Sequence, residues 1–263
     1  MAEDHFVSKC NENWVGTFLS LSGILPGGAT ERLHGVTIVK TGIKSPDFNN
    51  VFSLGRPDSL EGVSDKIDSL LVRSKVPWQL VTTAESSEFV RPLIAERKLV
   101  QTEVAPGMFL GSIPDSCPPI PAGLEIREVM SLKEMRMFLR TSSASFGEAA
   151  SGLDAFKTVL KFARAGVPSF HGALYLGFVG GKPVATSLRS TTGDVAGIYY
   201  VSTLPEYRGR GFAKAMVWRA AIDGREEGCT MSCLQAANEV ACHVYESMGY
   251  RTIVDYQIWR ATV

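Results

Sequence analysis

The stretch Tyr207-Arg208-Gly209-Arg210-Gly211-Phe212-Ala213 joins a strand-like run, 195–203, to a helix-like run, 212–227. Two glycines at such a junction allow a tight turn, so that several backbone N–H groups can point into one concavity. The positive end of the helix dipole lies at the same place. The stretch therefore predicts a cradle for a phosphate or pyrophosphate group.

Two common phosphate-binding motifs do not describe this loop. A nucleoside triphosphate loop needs Gly-x-x-x-x-Gly-Lys-Ser/Thr, and the chain contains no such run. A dinucleotide fingerprint needs a third glycine, but Gly209 and Gly211 are followed by Lys214. The loop also lies late in the chain, whereas a dinucleotide domain normally opens with it. The sequence thus favours another phosphate-bearing ligand.

Composition is that of a soluble globular protein with an ample core. The chain has 263 residues, of which 45% are hydrophobic and 21% charged, and its formal net charge is zero. Nucleic acids and anionic membranes usually need a basic excess, so neither is expected as a partner. The positive charge of Arg208, Arg210 and Lys214 is local and suits a small anion.

The cysteines favour a reduced protein without a metal site. Their number is odd, no Cys-x-x-Cys pair occurs, and core thiols explain them better than metal ligands: Cys10, Cys117, Cys229, Cys233 and Cys242. Reduced thiols are typical of the cytoplasm. The acidic N-terminus does not resemble a signal peptide, and no apolar stretch is long enough to span a membrane. We therefore expect a cytoplasmic protein with no metal.

A proline-rich run divides the chain. Four prolines within 112–121 are incompatible with a helix or a central strand, so the run predicts an extended linker. We expect an N-terminal domain over residues 1–111, a linker over 112–122 and a second domain over 123–263.

Hydrophobic periodicity predicts a mixed α/β protein. In the second half we expect strands over 124–129, 173–179, 183–189, 195–203, 230–235, 251–254 and 256–261, and helices from 131 and over 153–165, 212–227 and 238–248. In the first half we expect helices over 63–74 and 85–98, a strand over 78–82 and an extended run over 100–110. The two tails match at an offset of 150 residues, which indicates an internal duplication.

Two signatures in the second half resemble the GNAT superfamily of acetyl-CoA-dependent N-acetyltransferases. Arg208, Gly211 and Ala213 fill the family's acetyl-CoA loop, Gln/Arg-x-x-Gly-x-Gly/Ala. The runs 234–238 and 244–250 are similar to its late helix, with an Asn at the start and a Tyr before a closing Gly-aromatic pair. The resemblance covers residues 123–263 and implies two GNAT-like domains with a mixed sheet.

The N-terminal domain is the degenerate one on this interpretation. At the offset of 150 residues, Asp58 stands where Arg208 does, and Ala95 stands where Tyr245 does. The first half therefore lacks the cofactor motif and has no counterpart of the glycine loop.

The resemblance also implies which residues bind acetyl-CoA as co-substrate. It assigns this role to Val201, Ser202, Thr203, Arg208, Gly209, Arg210, Gly211, Phe212, Ala213, Lys214 and Asn238. The strand end would bond the pantetheine arm, and the loop N–H groups would hold the pyrophosphate. Tyr245 would protonate the departing thiolate as general acid.

Both residues of the late helix have a simpler alternative role. Asn238 and Tyr245 are seven positions apart, which is nearly two turns, or about 10 Å along one helix face. Asn238 would equally serve as a plain helix N-cap. Tyr245 would equally serve as a half-buried core aromatic whose hydroxyl reaches a partner.

No general base is evident. The strand position at which some family members carry a Glu falls near Val195, and Asp194 beside it would face the other way. Other candidates are Glu148, His171, Tyr199 and Tyr200.

The sequence therefore predicts an acetyl-CoA-dependent N-acetyltransferase with a small amine or amino-acid-like acceptor. A CoA-binding sensor without turnover and an enzyme acting on protein N-termini or lysines are the alternatives. A homodimer is a further expectation, and nucleic acid and membrane are not expected partners.

Overall fold

A computed structural model describes residues 2–146 and 171–261. The described residues form one sheet of 11 strands covered by helices, which confirms the mixed α/β class. The helix expected over 153–165 and the candidate base Glu148 lie outside the described residues.

The first half begins with elements that the sequence did not predict. They are helix α1 (Ala2–Ile24) and strands β1 (Ala29–Leu33), β2 (Val36–Lys40) and β3 (Asn50–Ser53). The half continues with helix α2 (Val63–Ile67), which runs into a π-helical turn (Asp68–Val72), strand β4 (Gln79–Thr83), helices α3 (Ala84–Phe89) and α4 (Arg91–Glu96), and strand β5 (Leu99–Leu110). The helix expected over 85–98 is divided at Val90, because Pro92 cannot continue a helix.

The second half follows the expected element order. It contains strand β6 (Leu124–Glu128), helix α5 (Leu132–Phe146), strands β7 (Gly172–Val179), β8 (Lys182–Thr192) and β9 (Val195–Thr203), helix α6 (Phe212–Glu226), strand β10 (Met231–Gln235), helix α7 (Glu239–Glu246) and strand β11 (Arg251–Ala261). The strands expected over 251–254 and 256–261 are one strand, β11. The pairing of β11 with β5 shifts register between Thr252 and Val254, close to the predicted break between the two strands.

The two halves exchange a strand. The sheet order is β1-β2-β3-β4-β11-β5-β10-β9-β8-β7-β6, so β11 lies between β4 and β5 of the first half. It runs antiparallel to both, from Arg251 opposite Phe109 to Ala261 opposite Leu99. Strand β5 in turn pairs with β10 of the second half. The halves therefore share one continuous hydrogen-bonded sheet.

Helices cover both faces of the second half. Alternate residues of a strand point to opposite faces. Leu174, Leu176 and Phe178 of β7 pack in one cluster with α1 and α5, whereas Ala173 and Tyr175 pack in another with α6 and α7. The proline-rich run 112–121 contains no helix or strand, as expected.

Candidate active site

The glycine loop presents a row of unused donors. Gly209 and Gly211 have φ of 75° and 79°, a conformation that L-residues with a side chain rarely adopt. Gly211 is the N-cap of α6, and its carbonyl accepts from the Ala215 N–H at 3.1 Å. Among the described residues, no group accepts a hydrogen bond from the N–H groups of residues 209–214. The loop has the donors that an anion cradle requires.

Strands β9 and β10 separate beside this loop. They pair in parallel only from Val195 to Gly197, opposite Met231 to Cys233. Strand β9 continues to Thr203 and β10 continues to Gln235 without pairing to each other. This separation leaves the β10-facing edge of β9 beyond Gly197 without a ladder partner among the described strands.

A bulge lies in the separated part of β9. Tyr200 has φ of 51°, and the β8–β9 register shifts between Leu188 opposite Tyr199 and Thr186 opposite Ser202. The hydroxyl of Thr186 donates to the Tyr200 carbonyl at 2.7 Å and lies 2.7 Å from the Ser202 hydroxyl. Such a bulge redirects the backbone next to Val201.

Two buried polar atoms without partners lie where the strands separate. Thr203 Oγ1 on β9 and Gln235 Nε2 on β10 are buried, and neither forms a hydrogen bond with a described residue. Buried polar atoms are normally paired, so these two are candidates for contact with a ligand.

The basic side chains of the loop have different roles. Arg208 donates from Nε to the Thr203 carbonyl at 3.1 Å and from Nη2 to the Ser145 carbonyl at 2.9 Å. The Arg210 guanidinium lies 5.2 Å from the centre of the Tyr207 ring. Lys214, in the first turn of α6, forms no hydrogen bond or ion pair with another described residue. Arg208 thus ties the loop to the end of α5, and Lys214 remains available to an anion.

Asn238 has the capping role. Its side chain accepts from the Ala241 N–H at 3.0 Å and begins α7, although the residue itself is exposed. The predicted cap is confirmed, and the accepting oxygen is used within the protein.

Tyr245 is 6% exposed and packs in the same apolar cluster as Val201 of β9 and Phe212 of α6. Burial raises the pKa of its hydroxyl above the usual value, and Cys242 one turn earlier adds to the shift. The hydroxyl therefore stays protonated at neutral pH.

Several candidate general bases among the described residues already interact with other side chains. Asp194 forms an ion pair with Lys9, which lowers the pKa of that carboxyl, and it also accepts from Thr230 Oγ1 at 3.2 Å. Val195 is a buried apolar residue, and the Tyr199 hydroxyl donates to Asn13 at 2.6 Å. His171 is exposed.

The first half contains a counterpart of the glycine loop whose donors are occupied. Gly62, with φ of 70°, caps α2 as Gly211 caps α6, and the offset of 150 residues missed this match by one position. Around it, the N–H groups of Asp58, Glu61 and Val63 donate to His34 O, Ser59 Oγ and Leu60 O. These bonds leave fewer N–H donors for an anion than the glycine loop of the second half offers.

A cavity of about 660 Å³ lies between α1 and the ends of β1–β3. It is lined by Asn11, Glu12, Arg32 and Phe52 among others, and contains no residue of the predicted site. The described residues include no group of three His, Cys, Asp or Glu side chains suited to a metal ion, and no described helix is long and apolar enough to cross a membrane.

The sequence missed three residues that support the site. They are Asn13 on α1, Thr186 on β8 and Ser145 on α5, each of which bonds β9 or the loop. No local motif marks any of them, since each contact joins segments that are distant in sequence or lies across strands.

Solved structures share this architecture. A GCN5-related N-acetyltransferase from Kribbella flavida is 15% identical, with 98% of this chain and 96% of that chain covered and a TM-score of 0.71. A putative GNAT-family acetyltransferase from Novosphingobium aromaticivorans is 17% identical, with 95% and 97% covered and a TM-score of 0.59. A tandem GNAT protein from the clavulanic acid biosynthesis pathway is 14% identical, with 96% and 87% covered and a TM-score of 0.59.

At these identities the likeness establishes the fold alone. The chain has no significant match among curated proteins. Residues 155–250 match the family model described as "Acetyltransferase (GNAT) family", a segment that contains β9, the glycine loop, α6, β10 and α7. This chain therefore carries a GNAT-family acetyltransferase domain over residues 155–250, within a fold of two GNAT-like domains.

Proposed function

We propose that this protein is an acetyl-CoA-dependent N-acetyltransferase that transfers the acetyl group directly to the amine of a small or amino-acid-like acceptor. The observation that carries the proposal is the separation of β9 from β10 directly before a loop with six N–H groups that donate to no described residue. The five cysteines are free thiols, which is consistent with a protein that acts in the cytoplasm.

The residues at this place fit acetyl-CoA. Gly209 has nothing within 4 Å of an added Cβ, so the backbone there is open to a ligand. The N–H groups of residues 209–214 would hold the pyrophosphate, with Lys214 adding charge. The unpaired edge of β9 from Val201 to Thr203 would bond the pantetheine arm as a neighbouring strand would. Thr203 Oγ1 and Gln235 Nε2 would find partners there.

When bound, acetyl-CoA supplies the acetyl group as a thioester. The backbone beside the bulge at Tyr200 would place an N–H near Val201 toward the carbonyl oxygen and so stabilise charge that develops on it. Tyr245 holds its proton at neutral pH and would provide it to the leaving sulfur. Placement of both reactants would be the main contribution of the protein.

Calorimetric titration with acetyl-CoA tests the proposed site. We expect the native protein to bind and Gly211→Glu to lose binding, because a carboxylate would enter the anion cradle at a left-handed position. Gly228→Glu is the control for backbone strain, since Gly228 also has positive φ but lies beyond the other end of α6, where an added Cβ meets nothing within 4 Å. Absence of binding by the native protein would refute the proposal.

Turnover distinguishes an enzyme from a sensor that only binds CoA. The sensor alternative draws support from Val195, a buried apolar residue at the position where a base would stand. A panel of small amines, amino acids and peptides, with CoA release as readout, should show transfer that Tyr245→Phe slows. Tight binding of acetyl-CoA without transfer to any acceptor would favour the sensor.

A further inference from the structure

Asn13 of helix α1 is fully buried and uses its whole amide on the second half. Its Nδ2 donates to the carbonyl oxygens of Ser190 at 3.0 Å and Val195 at 3.1 Å. Its Oδ1 accepts from the Tyr199 hydroxyl at 2.6 Å. One side chain from the first half therefore bonds the end of β8, the start of β9 and the residue before the bulge.

Gly197 shows how closely Asn13 lies on β9. A Cβ added to Gly197 would fall 1.9 Å from Asn13 Oδ1 and 2.7 Å from the Tyr199 ring and hydroxyl. Only a glycine leaves room for this arrangement. Gly197 is also the last residue of β9 that pairs with β10. The Asn13 amide thus lies against β9 at the residue where the pairing of β9 with β10 stops.

Beyond Gly197, strand β9 pairs with β8 alone among the described strands, and the β8–β9 register is interrupted at Tyr200. The bond from Tyr199 to Asn13 fixes the residue immediately before the interruption. Asn13 therefore restrains the separated part of β9 from outside the sheet.

We propose that Asn13 is a positioning residue by which the N-terminal half holds β9 in the conformation that binds acetyl-CoA. The inference rests on the proposed function. If the restraint is lost, β9 samples other conformations and the apparent affinity falls with the fraction of competent molecules. The N-terminal half then contributes to the site without a cofactor loop of its own.

The chain provides a matched control on the same helix. Asn11 also accepts from a tyrosine hydroxyl, that of Tyr256 at 2.8 Å, but Tyr256 belongs to β11 and not to β9. Asn13→Ala and Asn11→Ala both remove an amide from α1 and leave a tyrosine hydroxyl without its acceptor. Only Asn13→Ala releases β9.

Calorimetry with acetyl-CoA on the full chain tests the proposal. We expect Asn13→Ala to weaken binding about tenfold, the affinity equivalent of one buried hydrogen bond that stabilises the competent conformation alone, and Asn11→Ala to leave it within about twofold. Tyr199→Phe keeps the ring, removes only the hydroxyl, and serves if Asn13→Ala does not fold. It should weaken binding in the same direction, and the double variant should bind no more weakly than Asn13→Ala alone. Equal affinities for the Asn11 variant and the folded Asn13 or Tyr199 variants would overturn the proposal.

Amide hydrogen exchange separates this proposal from the proposed function. Without any ligand, peptides covering residues 198–203 should exchange faster in Asn13→Ala or Tyr199→Phe than in Asn11→Ala. If the native protein binds no acetyl-CoA, the proposed function fails, whereas faster exchange would still support the restraint on β9. Unchanged exchange in both variants would overturn the restraint itself.

Discussion

Arg208 donates from Nη2 to the Ser145 carbonyl oxygen at 2.9 Å, across a separation of 63 residues. Ser145 lies next to Phe146, the last described residue of α5. A second bond, from Arg208 Nε to the Thr203 carbonyl at 3.1 Å, fixes the end of β9. Arg208 therefore connects the glycine loop, β9 and α5 through its side chain.

Arg208→Ala should lower the free energy of unfolding by about 1–2 kcal/mol, because two carbonyl groups lose a charged donor. It should also weaken acetyl-CoA binding, since the loop loses its attachment to α5. Urea unfolding and calorimetry measure the two effects. Arg210→Ala is the control for stability, because the bond of Arg210 to the Glu206 carbonyl is long, 3.5 Å, and exposed. Equal stability of the two variants would contradict the structural role of Arg208.

Thr203→Val should separate ligand binding from stability. The Thr203 hydroxyl is buried and bonds to none of the described residues, so replacing it with a methyl group should leave the free energy of unfolding unchanged or raise it by about 1 kcal/mol. The same change should weaken acetyl-CoA binding if the hydroxyl contacts the ligand. Thermal unfolding with and without acetyl-CoA measures both. A stability loss without ligand would show that the hydroxyl has a partner within the protein.

Stability should fall steeply in alkali. Burial raises the pKa of five of the seven tyrosines: Tyr175, Tyr199, Tyr245, Tyr250 and Tyr256. Above about pH 10 the unfolded chain releases protons that the native state retains, so the free energy of unfolding falls as pH rises. Stability from these groups is fully present below about pH 10.

Urea unfolding between about pH 8 and pH 11 checks this expectation, with tyrosinate absorbance as the second signal. Tyr245→Phe removes one of the five groups and should make the fall with pH shallower. If all seven tyrosines titrated near the usual pKa while the protein kept its native structure, the burial of these five would be contradicted.

Gly107→Ala should be destabilising by about 1–3 kcal/mol through overpacking. A Cβ there would meet Tyr256 Cε2 at 2.5 Å and Val254 Cγ1 at 2.7 Å, both on the exchanged strand β11. Gly23→Ala, within α1, meets nothing within 4 Å and should be stabilising by about 0.5–1 kcal/mol. Differential scanning calorimetry compares the two. A neutral Gly107→Ala would mean that β11 packs less closely on β5.

The two halves should not fold as separate chains. Residues 1–111 alone would leave the facing edges of β4 and β5 without β11, and residues 112–263 alone would leave β11 and β10 without β5. Unpaired edges of this length favour aggregation. We expect each piece to be insoluble alone and both to be soluble when produced together, as measured by size-exclusion chromatography. A monomeric, folded fragment 112–263 would contradict this expectation.

Local patterns predicted the second half well. The apolar runs of β7–β9 and the helical spacing of α6 and α7 match the observed elements. The three strands are apolar because both of their faces are buried, whereas each helix buries one side against a core. The glycine loop could be identified because a tight turn with positive φ restricts the residue type.

Helix α1 could not be recognised by periodicity. It packs against both halves, and its buried positions include the polar residues Asn13 and Ser22 beside Cys10 and Trp14, so no clean apolar stripe forms. The position of β11 was equally hidden, because its pairing with β4 and β5 joins segments that are about 140 to 180 residues apart. The role of Asn13 depends on both of these long-range arrangements.

The place of β11 in the sheet also sets the order in which the protein can complete its structure during synthesis. The N-terminal half leaves the ribosome first, yet the gap between β4 and β5 closes only after residues 251–261 have emerged. Until then the edges of β4 and β5 that β11 later covers are unpaired, and such edges are prone to wrong association. The last strand of the sheet to be translated is thus the one that makes both halves native.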